Sequence, residues 1–254
     1  MPHRPSTLLI NPTVTTRPRF PLSLLSLAAA LDHFGDSHIV DGNIDRDLVE
    51  ATLAAAGKQH YDAIGIGIMG GPQLAPAIAV SRAIREHHPS MPIIWGGYFP
   101  TLYTDTTLAA PYVDYAVRGQ GEESLVELVS ALGRGGGDEA LARIDGLSWR
   151  RDGEIVHNPN RSFQRDDATL VLPYEKLGDP DKYLASTFLG RRTAVHQASI
   201  GCRFRCTFCG VAAMFGGATS LPPSERLERE LSYLKYELGA DSILFYDHNF
   251  FDRE

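Results

Sequence analysis

The chain of 254 residues has only three cysteines, and all of them lie between positions 202 and 209. Such a small, odd number in one short segment excludes a disulfide framework, which needs cysteines in pairs. In a reducing compartment, a tight group of thiols more often binds metal. The scarcity of cysteine therefore points to this one segment as a candidate metal site.

Long apolar runs and an excess of positive charge are also missing. No segment approaches the roughly 18 consecutive apolar residues of a membrane span, and the first residues lack the apolar stretch of a signal peptide. The formal net charge of −7 is unsuited to a nucleic-acid or anionic-membrane partner. With 43% hydrophobic and 22% charged residues, the composition is that of a globular protein, and we expect a cytoplasmic location.

The first half of the chain alternates apolar runs with segments of helical spacing. Five strands alternating with five helices predict a Rossmann-like, doubly wound α/β domain with a parallel sheet, in the flavodoxin-like order that is commonest at this size. We place the end of this domain at residue 137, after a glycine-rich joint. The strands are predicted at residues 7–10, 37–40, 63–68, 92–95 and 112–117.

Two further sections follow this domain. Residues 138–190 are predicted to form a connector with one small hairpin, because Asp152-Gly153 separates two short strand-like runs. Residues 191–254 show the order strand, loop, helix, strand, which is one βαβ unit. Since a complete TIM barrel takes roughly 200–250 residues, we expect this section to be the incomplete first part of a partial barrel.

The spacing of Cys202, Cys206 and Cys209 is C-x3-C-x2-C. Three thiolates on a short loop can hold a 4Fe–4S cluster and leave one iron open, whereas electron-transfer clusters usually take four cysteines. The alternative is a structural zinc site completed by His196 or His248. Zinc sites of that kind usually use two C-x2-C pairs, and His196 falls inside a predicted strand, so the spacing favours the cluster.

The cysteine spacing, the aromatic Phe208 before the third cysteine and the preceding strand together resemble the radical S-adenosylmethionine superfamily. The resemblance implies that the open iron binds S-adenosylmethionine. An electron from a reductant protein such as a flavodoxin or ferredoxin would then cleave it to a 5′-deoxyadenosyl radical. The resemblance also implies that Phe208 lies beside the adenine, and that Asp247 and Asn249 contact S-adenosylmethionine. The alternative for these last two residues is an ordinary polar loop.

Four segments that follow predicted strands, at residues 10–13, 67–71, 95–101 and 117–123, resemble the cobalamin-binding domain that precedes many radical S-adenosylmethionine enzymes. Ligands bind at this edge of an open α/β sheet, and glycine lets the backbone approach a flat ring. The alternatives are that the glycines only turn strands into helices, and that Asp41 only caps a helix. The resemblance implies cobalamin contacts at Asp41, Met69, Gly70, Gly71, Gly96, Gly97, Tyr98, Phe99, Gly119, Gly121 and Glu122.

The loop after the first strand departs from the family pattern. Cobalamin domains that bind cobalt through a histidine carry Asp-x-His-x-x-Gly there, whereas positions 11–16 of this chain read Asn-Pro-Thr-Val-Thr-Thr. The lower face of a bound cobalt is therefore expected to be open, bound by water or covered by another side chain.

Together the two resemblances imply a cobalamin-dependent radical S-adenosylmethionine enzyme. The commonest chemistry of this class is methylation of an unactivated carbon in a small-molecule substrate, with methylcobalamin as the methyl donor. One alternative is a ring-forming or ring-rearranging enzyme of the same class. Another is a non-catalytic corrinoid-binding protein with an inert partial barrel. In this fold, later barrel loops choose the substrate.

Overall fold

The computed structural model describes residues 4–12, 15, 17–164 and 171–250. Its main element is a seven-stranded sheet with the order β2-β1-β3-β4-β5-β6-β7. The first five strands run parallel in the flavodoxin-like order, so the predicted fold class is confirmed. The strands are Ser6–Asn11 (β1), Asp36–Asp41 (β2), Ala63–Gly67 (β3), Ile93–Gly96 (β4), Tyr115–Val117 (β5), Leu147–Arg151 (β6) and Glu154–His157 (β7).

Helices cover both faces of this sheet, because the strands are apolar on both sides. Alternate residues of β1 enter different cores: Leu8 and Ile10 pack with α2 and α3, whereas Leu9 packs with α1 and α6. No helix among the described residues is both long and apolar enough to cross a bilayer. The helices around the sheet are Leu22–Asp32 (α1), Leu48–Lys58 (α2), Leu74–His87 (α3), Tyr98–Leu102 (α4), Thr104–Leu108 (α5), Glu122–Gly133 (α6) and Asp138–Leu141 (α7).

The hairpin predicted from Asp152-Gly153 is present, and it extends the main sheet. Strand β6 runs antiparallel to β5, and β7 pairs antiparallel with β6. Asp152 and Gly153 both have positive φ angles, of 53° and 87°, as the tight turn of a two-residue hairpin requires. The sheet therefore continues past residue 137 into the segment predicted as a connector.

The C-terminal section contains the predicted βαβ unit and two small sheets. Its outer strands, β8 and β11, pair in parallel, while β9 and β10 form a short antiparallel pair that the sequence did not predict. The last helix continues into a π-helical turn at Tyr233–Glu237 before Gly239 ends it. The elements are Thr193–His196 (β8), Ile200–Gly201 (β9), Val211–Phe215 (α8), Thr219–Ser220 (β10), Ser224–Ser232 (α9) and Ser242–Phe245 (β11).

A third apolar core attaches this section to the main sheet. The ring of Phe20, just before α1, stacks on Tyr183 with centroids 5.1 Å apart and meets the edge of Tyr174 at 4.9 Å. Nearby, Nζ of Lys176 lies 3.0 Å from the carboxylate of Asp32 at the end of α1. The connector is therefore fixed to the first helix by both apolar and ionic contacts.

Candidate functional site

The glycine segments predicted as a ligand site meet at one edge of the main sheet, because the carboxyl ends of parallel strands lie side by side. Gly70 follows β3, Gly97 follows β4 and Gly119 follows β5. Their φ angles are 109°, 99° and 71°, a region that residues with a side chain rarely adopt. The structure thus brings the segments at residues 67–71, 95–101 and 117–123 together.

The individual glycines of this edge serve different purposes. A Cβ at Gly97 would lie 2.7 Å from the carbonyl oxygen of Ile68, so the absence of a side chain there is explained by backbone packing, without a ligand. A Cβ at Gly121 would press on Leu27 at 3.2 Å. A Cβ at Gly71, in contrast, would meet nothing within 4 Å. Gly71 therefore leaves backbone accessible from outside the protein, whereas Gly97 and Gly121 do not need a ligand to explain them.

Apolar side chains are exposed at the same edge. Met69 after β3 is 69% exposed, and Leu102 and Tyr103 at the end of α4 are exposed as well. Phe99 packs against Tyr103, with ring centroids 5.3 Å apart, and also against the core below. Exposed apolar groups gathered in one place are typical of a surface that binds a ligand.

A cleft of about 980 Å³ opens between this edge and the C-terminal section. Such a volume is at the upper end of the roughly 300–1,000 Å³ of typical ligand pockets. Its walls come from both regions of the chain, since the residues around α4, α5 and β5 face α8 across it. The lining includes Thr101, Asp105, Arg118, Gln120, His157, Asn160, Met214 and Phe215.

Three polar residues of the cleft were missed by sequence reasoning. The hydroxyl of Thr101 donates to the Gly97 carbonyl at 2.7 Å and accepts from the Gly119 amide at 3.0 Å, so it joins two glycine loops. Arg118 binds the Asn160 side chain and the Asn158 carbonyl, and partial burial lowers its pKa.

The third missed residue, His157, has a ring nitrogen 3.1 Å from the carboxylate of Asp105. Thr101 and Arg118 lie inside the segments singled out from the sequence, at residues 95–101 and 117–123. Their positions beside the glycines could therefore have identified them as site residues from the sequence. His157 reaches the cleft only because β7 joins the main sheet.

Asp41 and Glu122 have protein partners. Asp41 accepts hydrogen bonds from the side chain of Asn11 at 2.8 Å, the amide of Asn43 at 2.9 Å and the hydroxyl of Tyr183 at 2.7 Å. Burial raises the pKa of Asp41 despite these bonds. The cap of α2 is Asp47, so the alternative of Asp41 as a helix cap is wrong.

Glu122 accepts a hydrogen bond from the hydroxyl of Ser26 at 2.8 Å, which connects α6 to α1.

Part of the loop after β1, residues 13, 14 and 16, lies outside the described residues.

The cysteine segment runs from the end of β9 to the start of α8. Its three thiols are unpaired; Cys206 is exposed, and Cys202 and Cys209 are partly exposed. The Cys209 amide donates to the Cys206 carbonyl at 3.0 Å, which closes a turn between them. Accessible thiols on one short loop are the donor set that a 4Fe–4S cluster takes. Phe208 between them is 91% exposed.

The two histidines considered for a zinc site have other partners. Nδ1 of His196 lies 3.0 Å from the Tyr174 hydroxyl, and Nε2 lies 3.2 Å from the Glu230 carboxylate, close enough for an ion pair although off the direction of a good hydrogen bond. Nε2 of His248 lies 2.8 Å from the Tyr98 hydroxyl. In the ranges that the structure describes, no three cysteine, histidine or acidic side chains converge like the ligands of a bound ion.

Around these histidines, burial and charge shift several pKa values. Burial alone would raise the pKa of Glu230, but His196 and Arg226 together hold it below its usual range. Burial, with a further contribution from Cys209, raises the pKa of Tyr98 to about 12. Partial desolvation lowers the pKa of His248, against the opposing charge of Asp247. Both shifts favour the neutral forms of Tyr98 and His248, which share one hydrogen bond whose donor depends on the imidazole tautomer.

Asp247 is engaged with the backbone ahead of the cysteines. Its carboxylate accepts from the Ala198 amide at 3.0 Å and from the Ser199 hydroxyl. These residues connect β8 to β9, so Asp247 shapes the chain that leads into the cysteine segment. Asn249, the second predicted contact of S-adenosylmethionine in this loop, is partly exposed.

Residues 16–129 match the family model described as the B12 binding domain. The chain carries a B12-binding domain. An uncharacterised methyltransferase of Pyrococcus horikoshii is 32% identical over 238 residues, which are 93% of this chain and 50% of that protein. The anaerobic magnesium-protoporphyrin IX monomethyl ester cyclase of a Synechocystis strain is 28% identical over 236 residues, 90% of this chain and 45% of that protein.

A solved structure with cobalamin and a 4Fe–4S cluster bound has the same fold. The radical S-adenosylmethionine methyltransferase TsrM from Kitasatospora setae aligns with a TM-score of 0.74 and 19% identity, over 97% of this chain and 48% of that chain. The fold implied by the resemblance to cobalamin-binding radical S-adenosylmethionine proteins is thereby confirmed. This chain spans about half the length of the curated relatives it matches.

Proposed function

We propose that this chain supplies the cobalamin-binding and cluster-binding regions of a radical S-adenosylmethionine enzyme that methylates an unactivated carbon. One observation carries the proposal: the cleft lies between the glycine edge of a B12-binding sheet and the section that bears three unpaired cysteines. Its relatives include a methyltransferase that is alike over nearly the whole of this chain. A small-molecule substrate and a flavodoxin-like or ferredoxin-like reductant belong to the same proposal.

The chain offers the kinds of side chain that both cofactors need. Cys202, Cys206 and Cys209 would hold the cluster, and the exposed apolar groups around Met69 and the open backbone at Gly71 would receive the corrin. When bound, the cluster supplies an electron for cleavage of S-adenosylmethionine, and cobalamin supplies the methyl group.

The chain's other residues organise the two sites. Thr101 fixes the two glycine loops relative to each other, and Asp247 fixes the chain entering the cysteine segment. Phe208 and Asn249 would contact S-adenosylmethionine.

Ring formation is the second candidate function. It is favoured by the similarity to the Synechocystis cyclase, which extends over 90% of this chain. The two functions differ in their products, because a methyltransferase moves a labelled methyl group from S-adenosylmethionine to substrate and a ring-forming enzyme does not. Mass spectrometry of products from methyl-labelled S-adenosylmethionine distinguishes them.

Cluster loading tests the cysteine half of the proposal. Anaerobic reconstitution with iron and sulfide should give about four irons per chain and the broad visible absorbance of a 4Fe–4S centre. Cys206→Ala should lose both, because two thiolates do not hold the cluster. Tight binding of one zinc without a visible chromophore would contradict this half.

Cobalamin binding tests the other half with a matched pair of variants. Gly71→Asn adds a side chain to the predicted edge, at a position where a Cβ meets nothing and where asparagine tolerates the positive φ of 57°. Gly135→Asn makes the same change at φ 67°, also in open space, in the loop after α6. Gly71→Asn should weaken hydroxocobalamin binding and Gly135→Asn should not. Equal binding by both variants would remove Gly71 from the site.

A further inference from the structure

Tyr98 and His248 connect the two halves of the candidate site. Tyr98 begins α4 directly after the glycines that end β4, and His248 follows β11, 150 residues later in the chain. The Tyr98 hydroxyl and Nε2 of His248 are 2.8 Å apart. Between parts of a chain so distant in sequence, a direct side-chain bond sets how the two segments lie against each other.

The ring of Tyr98 also touches the end of the cysteine segment. A Cβ at Gly210, the residue after Cys209, would lie 3.3 Å from Cδ1 of Tyr98, so the backbone of Gly210 packs closely against the ring. Phe215 at the end of α8 completes the group, with its ring centroid 5.6 Å from that of His248 and 6.5 Å from that of Tyr98. Tyr98 therefore contacts His248 through its hydroxyl and the end of the cysteine segment through its ring.

The neighbour of His248 reaches the other end of the cysteine segment. Asp247 accepts hydrogen bonds from Ala198 and Ser199, ahead of Cys202. The dipeptide after β11 thus contacts the chain before the first cysteine through Asp247. Through His248 and Tyr98 it contacts the chain after the last cysteine.

We infer that Tyr98 and His248 are a positioning pair, which holds the cysteine segment against the glycine edge of the first sheet. The placement of the two segments stands on the contacts alone. Its consequence, that the corrin and the cluster are kept in one arrangement, rests on the proposed function. Neither residue is assigned a role in the chemistry itself.

Hydrogen exchange of the unloaded chain tests the positioning pair without any cofactor. The amide of Cys209 is bonded within the turn between Cys206 and Cys209, and the amides of Ala213 and Met214 are bonded to Gly210 at the start of the helix that follows. Tyr98→Phe removes one hydrogen bond and keeps the ring, so these amides should exchange roughly fivefold faster, as the loss of one such bond implies. His248→Ala should do the same, whereas in His248→Gln, whose amide can donate or accept a hydrogen bond at similar reach, exchange should stay slow.

Tyr103→Phe is the matched control, because it removes a hydroxyl from the same segment and leaves the Tyr98–His248 bond intact. If Tyr98→Phe exchanges no faster than the wild-type chain at these amides, the positioning pair is overturned, whatever the chain binds.

In the loaded chain, pulsed electron resonance measures the distance between cob(II)alamin and the reduced cluster. The distribution of these distances should be broader in Tyr98→Phe than in the wild-type chain, and in His248→Gln it should be as narrow as in the wild-type chain. An unchanged distribution in Tyr98→Phe would refute the consequence for the cofactors. If the exchange results hold but neither cofactor loads, the proposed function fails and the positioning pair stands.

Discussion

The main sheet and the C-terminal section differ in what their cores contain. In the main sheet, strands such as β1 and β3 bury aliphatic side chains on both faces, with Leu8, Ile10 and Ile64 fully buried. In the C-terminal section, the core around β8 and α9 encloses His196 and Glu230, which are 1% and 2% exposed, together with Arg226. Aliphatic contacts can be lost one at a time, whereas a buried charge left without its partner is very costly.

The two regions also differ in how far they stand alone. The main sheet has seven strands, but the C-terminal sheets have two each, and two-stranded sheets are marginal without further packing. The third core supplies that packing, because it joins Phe20 and Leu25 of the first region, together with Tyr174 and Tyr183 of the connector, to the apolar residues of the second region. The C-terminal section therefore depends on the first region more than the first depends on it.

Breaking the buried charge network gives the largest expected difference between the regions. Glu230→Ala leaves His196 and Arg226 buried without their carboxylate, and we expect a loss of about 3–5 kcal/mol. Both tryptophans, Trp95 and Trp149, lie in the main sheet, so their fluorescence reports that region alone. The exchange rate of the β8 and β11 amides should rise strongly. The unfolding transition that tryptophan fluorescence reports should shift only a little.

The control for this prediction is Glu228→Ala, because Glu228 is an exposed carboxylate on the same helix. It should leave both readouts close to those of the wild-type chain. Equal shifts of both readouts in Glu230→Ala would show that the two regions unfold as one unit.

Removing the bond between Tyr183 and Asp41 should have a smaller effect. Tyr183→Phe leaves the buried Asp41 with one donor fewer and should cost about 1–3 kcal/mol. The loss should appear in the third core, where Tyr183 stacks on Phe20. Denaturant unfolding measures it, with Tyr236→Phe at an exposed position as control. A change below that of the control would mean that the other donors to Asp41 suffice.

Acid should affect the two regions in opposite directions. The pKa of Glu230 is lowered in the folded chain, so its contribution is complete above its usual value of 4.5 and is lost as pH falls through the folded value. The pKa of Asp41 is raised above its usual value of 3.8, so the folded chain binds this proton more tightly than the unfolded chain does. The resulting stability is complete below pH 3.8 and is lost as pH rises through the raised, folded pKa.

Amide exchange measured at neutral pH and below pH 4.5 should show this difference by region. Acidification should loosen the region around α9 while the protein around Asp41 stays protected. A uniform change in both regions would count against these assignments.

The parallel sheet could be predicted from the sequence because its strands are short apolar runs between helical patterns. Helix starts were harder to predict, because α2 is capped by Asp47, whereas Asp41, the cap considered from the sequence, bonds Asn11, Asn43 and Tyr183 instead. Between β4 and β5 the alternating pattern predicts a single helix, but the chain breaks at Tyr103 and forms two short helices, α4 and α5. Such choices depend on tertiary contacts more than on local preference.

The candidate site was only partly predictable for the same reason. The cysteines and the glycine edge follow from local spacing and from the rule for parallel sheets. The bond between Tyr98 and His248 joins residues 150 positions apart, and the bond between Tyr183 and Asp41 joins residues 142 apart. No local pattern indicates such pairs. The packing of Gly97 against the Ile68 carbonyl likewise shows only in the coordinates.

The central claim is that the edge of the main sheet binds cobalamin without a histidine from the first loop. The most direct measurement adds hydroxocobalamin to the purified chain, reduces it anaerobically and records the electron spin resonance spectrum of bound cob(II)alamin. We predict binding and a spectrum without the nitrogen superhyperfine splitting of an axial imidazole. A nitrogen-split spectrum would contradict the account of the lower face, and failure to bind under reducing, anaerobic conditions would contradict the claim as a whole.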